Sequence, residues 1–183
     1  MIPSVIDYLL QLPEAMHFAK VHELCSDGIS SYRMLSDYGS GTFQLIEFEN
    51  NLLLILIGDY KPKDTFEKIT EISEDYMEIS QFETDSSSFK IGGRKRNQVD
   101  KGIYCYLNTQ KKTYTYCEGG KAVRFTKVIL SPQYFQTYFK LHDENNARLL
   151  SSARDYLLKN PNLPELLSLI HISEPTRPAP ISY

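Results

Sequence analysis

Apolar and polar residues alternate in short segments through the central part of the chain, and turn residues separate these segments. Alternation with a period of two over about four to eight residues is typical of a half-buried β-strand. The clearest segments are Phe43–Phe48, Met77–Phe82, Ser86–Lys90, Ile103–Leu107, Tyr114–Cys117 and Ala122–Leu130. About seven short strands at this close spacing favour a β-sandwich or a small barrel.

One segment departs from the alternation because every residue in it is apolar. Leu52–Ile57 reads LLLILI and comes after the turn signal Glu49-Asn50-Asn51. A short apolar run bounded by turn residues suits a strand that is buried on both faces. Two strands joined by a short Asn-rich turn suggest a hairpin, so Phe43–Phe48 is expected to pair with Leu52–Ile57.

Helical patterns lie at the two ends of the chain. Pro3–Leu12 predicts a short helix that Pro13 ends. Ser131-Pro132 starts another, with the serine as N-cap and the proline at the first helical position. Asp143 is expected to cap a further helix over Glu144–Lys159.

The last predicted helix has an apolar stripe with two plausible uses. The stripe consists of Leu149, Leu150, Ala153, Tyr156 and Leu157. It suits packing on the strands of the same chain, or contact with a partner helix in a homodimer. Both uses stay open from the pattern alone, and these five residues are the candidates for a dimer contact.

Composition and charge exclude several classes. The chain has 183 residues, enough for one domain with a good core, and a net charge of −3. Phosphate contact needs a concentrated basic face, which argues against a free-standing nucleic-acid-binding protein. No apolar run reaches the ~18 residues of a membrane span, and the first residues lack a basic leader. The three cysteines, without CxxC spacing, fit the reducing cytoplasm.

The tyrosines of two predicted strands are candidate ligand contacts. Tyr104 and Tyr106 share one face, and a hairpin centred on Lys111 would place Tyr106 opposite Tyr116. It would also allow Cys105 and Cys117 to face each other, although two buried thiols are the simpler interpretation. A register shifted by one residue would separate the tyrosines. Inside a barrel they would line a pocket, and outside it they would be half-buried surface.

Two further clusters have ordinary explanations that we favour. Arg94, Lys95 and Arg96 come after Gly92-Gly93 and could bind phosphate, but basic residues also protect sheet edges from pairing. His17, His22 and Cys25 could ligate a metal, but scattered ligands in a weakly patterned stretch usually serve packing or lie on the surface.

The end of the chain has the sequence of a laboratory adapter. Leu167–Arg177, LSLIHISEPTR, is the codon-by-codon translation of a transposase-type sequencing adapter, and Ile181-Ser182-Tyr183 matches its later constant part. We therefore expect the natural sequence to continue differently after Leu166. His171 and the charged residues of this tail carry no functional interpretation.

The region from Tyr38 to Leu166 resembles the N-terminal sensor domain of AraC-type transcriptional regulators. The resemblance rests on Gly39–Thr42 ahead of the first long hairpin, on Met77–Phe82, on Gly92-Gly93 and on Gly102–Leu107. It implies a mainly β fold with α-helices, a cupin-like β-barrel or jelly roll followed by two helices. Residues 1–143 would form the sensing domain, 144–166 a dimerisation and linker helix, and 167–183 the adapter-derived tail.

The resemblance also implies a function and partners. The chain would be the effector-sensing and dimerisation part of a bacterial regulator, with a small-molecule effector such as a sugar, and a homodimer. DNA would be bound only by helix-turn-helix units beyond this chain. No cofactor or metal is expected: no histidine occurs between His22 and His142, so the two-histidine metal centre of enzymatic cupins has no ligands in the barrel region.

Specific residues are expected to carry this function. The candidate ligand-binding residues are Glu78, Gln81, Tyr104, Tyr106 and Tyr116. The expectation is that the chain is not an enzyme. Two alternatives stay open: a structural dimer module without ligand, and a metal-free cupin-type enzyme with paired carboxylates drawn from Glu47, Glu78 and Glu83.

Overall fold

The fold was analysed in a computed structural model, which describes residues 5–48, 52–72, 74–84, 87–91, 97–108, 112–138 and 144–159. Most of these residues lie in β-strands, and helices stand before and after them. The elements in chain order are α1 (Val5–Ala15), β1 (Phe18–Lys20), β2 (Ile29–Met34), β3 (Gly39–Phe48), β4 (Leu53–Pro62), β5 (Phe66–Thr70), β6 (Tyr76–Phe82), β7 (Ser87–Ile91), β8 (Asn97–Val99), β9 (Gly102–Asn108), β10 (Thr113–Cys117), β11 (Val123–Leu130), α2 (Pro132–Tyr138) and α3 (Asn146–Lys159).

The strands form two antiparallel sheets. The larger has the order β1-β2-β3-β4-β11-β6-β9, and the smaller has the order β5-β10-β7-β8. Strand β11 therefore returns from the end of the β-rich region to lie between β4 and β6. The predicted fold class, mainly β in a jelly-roll arrangement with helices after it, is confirmed.

The β3–β4 hairpin has the predicted partners. Phe48 is opposite Leu53, and the pairing continues to Gly39 opposite Pro62. Leu54 and Leu56 are buried between the sheets, whereas Leu53 and Ile55 are buried on the opposite face. The prediction that the apolar run forms a strand buried on both faces is thus confirmed.

Two apolar cores lie on the two faces of the larger sheet. The cavity-side core lies between the sheets and under α1, and it includes Leu9, Phe43, Leu54, Tyr60 and Phe125. The helix-side core joins the outer face of the sheet to α2 and α3. Its fully buried members include Met77, Val128, Leu130, Phe135, Leu149 and Leu150.

The helix termini agree only partly with the sequence. Ser131 caps α2 as predicted, since the Tyr134 N–H donates to its hydroxyl at 3.3 Å. At α3, Asn145 accepts from the Arg148 N–H at 3.1 Å, while Asp143 lies outside the described residues. The prediction that Pro13 ends the first helix is wrong, because α1 continues to Ala15. Pro13 lacks the N–H that would donate to the Leu9 carbonyl, but it lies near the C-terminus of the helix, and the Met16 N–H beyond it still donates to the Leu12 carbonyl at 3.1 Å.

The predicted tyrosine hairpin is wrong. Strand β9 pairs with β6, so Tyr106 is opposite Glu78, whereas β10 pairs with β5 and β7 in the other sheet. Alternation defines the faces of a strand but does not choose its neighbour. Cys105 and Cys117 consequently belong to different sheets, and all three cysteines are free thiols.

The apolar stripe of α3 packs on its own chain. Leu149, Leu150 and Ala153 are buried in the helix-side core with Met77 and Ile79 of β6. This is the first of the two uses that the sequence left open, and it makes these three side chains inaccessible to a partner while α3 keeps this position. The side chains of Tyr156 and Leu157 lie outside the described part, as do Arg94–Arg96 and the adapter-like tail. Within the described ranges, no helix has the length and apolarity to cross a membrane.

The Gly39–Thr42 segment is part of β3 rather than a turn. Gly41 has φ +121°, and a Cβ there would lie 2.3 Å from the Asp59 carbonyl oxygen and 2.4 Å from the Tyr60 Cα. These contacts are with the paired backbone of β4, which cannot move aside without breaking the ladder. The glycine therefore permits a close approach of the two strands.

We predict that Gly41→Ala lowers the free energy of unfolding by about 2 kcal/mol or more, since it adds backbone strain to a clash. Gly120→Ala is the matched control: its φ is +74°, and nothing lies within 4 Å of an added Cβ. It should cost only about 1 kcal/mol for the left-handed backbone. Urea unfolding followed by circular dichroism measures both, and equal losses would contradict the close-approach argument.

Candidate ligand cavity

A cavity of about 180 Å³ lies between the two sheets. Strands β4, β6, β9 and β11 of the larger sheet form one wall, strands β5, β7, β8 and β10 of the smaller sheet form the opposite wall, and α1 contributes at one side. Its position in the interior of the jelly roll is where a fold of two facing sheets has room for a small ligand.

Strand alternation decides which side chains reach the cavity. On β6 the even-numbered residues from Tyr76 to Phe82 line it, and on β11 the odd-numbered residues from Val123 to Ile129 do so. The intervening residues Met77, Ile79 and Val128 belong to the helix-side core. Each of these two strands therefore contacts the cavity on one face and the helical layer on the other.

Aromatic rings form much of the apolar wall. The Phe125 ring packs edge-on against Tyr60 at 6.3 Å between centroids and lies 6.1 Å from Phe82. Tyr104 in turn packs against Phe82 at 5.8 Å. Such tilted ring pairs are a favourable aromatic arrangement, so these contacts stabilise the cavity wall.

An ion pair lies within this aromatic wall. The Lys127 Nζ is 2.7 Å from the Glu78 Oε1, and both side chains are mostly buried. The Ser80 hydroxyl donates to the same carboxylate oxygen. The ammonium group also lies 5.5 Å from the ring centroids of Phe82 and Phe125. The positive charge of Lys127 is thus offset by the Glu78 carboxylate and by the two aromatic rings.

The amine of Lys68 on β5 has fewer stabilising neighbours than the amine of Lys127. The Lys68 Nζ is buried and has no hydrogen-bond partner, and it lies 4.8 Å from the centroid of the Tyr8 ring. Burial, together with the positive charge of Lys127, lowers the pKa of Lys68 from 10.5 to about 7. The Tyr8 hydroxyl is engaged with the Thr70 Oγ1 at 2.6 Å and does not satisfy the amine.

Other polar groups line the wall formed by the smaller sheet. The hydroxyl of Ser87 is buried without a hydrogen-bond partner, and Ser88 beside it is also buried. The Cys117 Sγ lies 3.7 Å from the Tyr60 hydroxyl, and burial raises the pKa of its thiol. A buried amine and a buried hydroxyl without partners are unusual in a folded protein.

The five predicted ligand residues are placed differently from one another. Glu78 and Tyr104 line the cavity. Gln81 has the opposite parity on β6 and lies on the face of Met77 and Ile79, and Tyr116 alternates with the cavity-lining Thr115 and Cys117. The side chain of Tyr106 lies outside the described part. The structure therefore brings two of the five together, and a binding role stays a prediction for all of them.

Sequence reasoning missed the lysines and the serines of the cavity. The sequence did contain an indication that Lys127 faces the interior, because it shares a strand face with Val123, Phe125 and Ile129, which are all apolar. For Lys68 the indication was weaker. It shares a face with Phe66 and Thr70, but the sequence did not assign this segment to a strand. For Ser87 there was no indication, since buried and exposed serines look the same in a sequence.

The other candidate clusters do not meet at the cavity. Of the three acids considered for paired carboxylates, Glu78 lines it and Glu47 and Glu83 do not. His17 and His22 are exposed, and the His17 ring stacks on Tyr38 at 3.7 Å. Within the described ranges, no three His, Cys, Asp or Glu side chains are grouped as a metal site requires.

Comparisons with known proteins give likeness in fold only. No protein-family profile matches the chain, and no curated protein matches its sequence. One similar solved structure is the cupin domain of Schizosaccharomyces pombe Cnp3, with 10% identity, coverage of 56% of this chain and 73% of that chain, and a TM-score of 0.42. Another is the plu4264 protein of Photorhabdus luminescens, with 12% identity, coverage of 67% of this chain and 88% of that chain, and a TM-score of 0.41. The AraC-like transcriptional activator CuxR is also similar, with 11% identity, coverage of 84% of this chain and 56% of that chain, and a TM-score of 0.38. At these identities and TM-scores the similarities carry no argument about the function of this chain.

We predict that Lys68→Met stabilises the ligand-free protein and changes its pH dependence. Between about pH 7 and 10.5 the unfolded chain binds a proton at Lys68 that the folded chain releases, so the parent loses stability as the pH falls through this range. The unfolding free energies of parent and variant should diverge by up to about 1.4 kcal/mol per pH unit and run parallel below pH 7.

Lys61→Met is the matched control because Lys61 is exposed on β4 and does not line the cavity. Urea unfolding of all three proteins at pH 6, 7, 8 and 9 measures the effect. A parent and Lys68→Met pair whose unfolding free energies stay parallel from pH 7 to pH 9 would show that the amine keeps its ordinary pKa in the fold.

Proposed function

We propose that this chain is the effector-sensing domain of a cytoplasmic, AraC-type transcriptional regulator and that it has no enzymatic activity. The observation that carries the proposal is the cavity, in which the Lys68 amine and the Ser87 hydroxyl are buried without partners and one wall of which is shared with the helical layer. A small organic molecule in this cavity would satisfy those groups, and its presence would be communicated to α2 and α3.

The need for a ligand arises from the cost of unpaired buried polar groups. A hydroxyl or an amine removed from water without a new hydrogen bond costs about 1–3 kcal/mol. Lys68 and Ser87 both have this cost in the ligand-free protein. A ligand with suitable acceptors recovers it, so binding is favoured beyond the burial of its apolar surface.

The path from ligand to helices is short. Glu78 and Lys127 face the cavity, while their chain neighbours Met77 and Val128 pack in the same core as Phe135 and Leu150 of the helices. A shift of β6 or β11 on ligand binding therefore changes the surface on which α2 and α3 rest. An effector acts through such a contact only when it has different affinities for two arrangements of the helices.

The regulator assignment is supported by the sequence resemblance at Gly39–Thr42, Met77–Phe82 and Gly102–Leu107. The close approach at Gly41 gives the first of these motifs a physical reason. In such a regulator α3 leads toward the DNA-binding half, and dimerisation uses surface other than the buried side chains of Leu149, Leu150 and Ala153. A structural module that binds nothing is the competing function.

We predict that a molecule bound in the cavity raises the melting temperature and slows amide hydrogen exchange in α2 and α3. Binding to the native state alone stabilises it, and coupling through β6 and β11 should extend to the helices. A thermal-shift screen of sugars and small organic acids identifies the molecule, and hydrogen–deuterium exchange then compares α3 with Ile29–Met34 of β2, which lies two strands beyond β4 in the larger sheet.

Stabilisation with unchanged exchange in α3 would contradict sensing and leave a simple binding module. No stabilisation across the screen would favour the structural module.

The regulator assignment also makes a prediction about the natural gene beyond Leu166. Extending the reading frame in an assembly free of adapter sequence should give about a hundred residues with two helix-turn-helix patterns. An early stop codon or an unrelated domain would contradict the assignment.

A further inference from the structure

We propose that the cavity binds a compact organic monocarboxylic acid, with its carboxylate at Lys68 and its apolar body against the aromatic wall. This inference rests on the proposed function and names the chemical class of its ligand. Four properties of the cavity carry it: the charges of its lining, the partners of each polar group, its volume and the nature of its walls.

The charges of the described lining leave one positive group uncompensated. Lys68, Glu78 and Lys127 are its charged side chains, and the Glu78 carboxylate pairs with Lys127. That carboxylate also accepts from Ser80, so its nearer oxygen is already occupied. The lining therefore complements a ligand with a single negative charge.

The Lys68 amine is positioned to bind this negative charge, because it has no hydrogen-bond partner in the ligand-free protein. In the ligand-free protein burial and the charge of Lys127 favour the neutral amine, which has no hydrogen-bond partner. An anion beside it reverses both effects, because opposite charge favours the protonated amine and supplies an acceptor. The groups that face Lys68 are Tyr8 from α1, Cys117 from β10 and Lys127 from β11.

The remaining wall distinguishes a carboxylic acid from other anions and from sugars. No arginine is part of the described lining, so the forked set of donors that favours a phosphate group is not assembled there. A sugar presents hydroxyl groups on every side and would need polar partners all around it. Most of the cavity wall is instead apolar, with contributions from Leu9, Leu12, Phe66, Phe125 and Ile129, and its serine and threonine hydroxyls lie mainly on the smaller sheet rather than all around it.

The volume limits the size of the acid. A cavity of about 150 Å³ lined by apolar side chains is known to accept benzene. The present cavity of about 180 Å³ therefore accommodates one six-membered ring, or a chain of similar volume, together with a carboxylate. The Ser87 hydroxyl can donate to an acceptor on the acid or to a second oxygen of its carboxylate.

The test compares acids with their own primary amides, which have nearly the same shape and no charge. Benzoate, phenylacetate and hexanoate are each titrated against benzamide, phenylacetamide and hexanamide by isothermal titration calorimetry at pH 6.5. Charge-assisted hydrogen bonds exceed neutral ones by enough to predict about tenfold or greater preference for at least one acid over its amide.

Three variants identify the groups responsible. Lys68→Met should reduce the acid affinity by about tenfold or more and abolish the preference over the amide. Glu78→Gln should tighten acid binding severalfold, because it removes the one negative charge of the described lining. Lys61→Met, which changes an exposed lysine of β4, should leave the affinity unchanged.

The outcomes separate this inference from the function on which it rests. Acid preference that disappears in Lys68→Met and survives in Lys61→Met supports it. Equal binding of acids and amides, or acid preference that persists in Lys68→Met, overturns it while leaving a ligand-binding domain. Absence of binding by every acid and amide overturns the inference but leaves the proposed function standing, whereas silence across the broader thermal-shift screen counts against both.

Discussion

The pairing of β11 between β4 and β6 is the constraint on which the rest of the structure depends. Val128 is opposite Ile55 on one side and Ile79 on the other, so three strands from distant parts of the chain form one continuous surface. That surface has a helical layer on one face and a cavity on the other. Burial of these strands on both faces removes apolar surface from water, which stabilises the fold by about 25 cal/mol per Å². The same strands then carry the glutamate and one lysine of the cavity.

An ion pair buried in this position loses the hydration of both charged groups. Glu78 and Lys127 are mostly withdrawn from water, and their mutual attraction offsets the loss of hydration only because Ser80 and two aromatic faces complete their surroundings. Lys68 has no equivalent neighbours. The cavity therefore holds one lysine whose charge is offset by neighbouring groups and one whose charge is not, and this contrast identifies Lys68 as the unusual residue.

The sequence predicted the elements whose patterns are local and missed what depends on distant contacts. Alternation identified β3, β6, β9, β10 and β11, and the run at Leu52–Ile57 identified a strand buried on both faces. Nothing local showed that β9 would pair with β6, or that Phe66–Thr70 would be a strand at the edge of the smaller sheet. Because β5 was not expected, Lys68 could not be placed. Alternation placed Glu78 and Tyr104 on defined strands but left open which face of each strand is interior, and for this reason Gln81, on the opposite face of β6, was a candidate together with Glu78.

The strict division of β6 and β11 into a cavity face and a helix face limits how the gene for this domain can diverge. Insertion or deletion of one codon within either strand would exchange the two faces, sending Glu78 or Lys127 into the helical layer and Met77 or Val128 into the cavity. Substitutions on the cavity face carry no such penalty for the opposite core. The lining of the cavity can therefore change by point mutation while the length of these strands stays fixed, and changes in length are confined to the connections between strands.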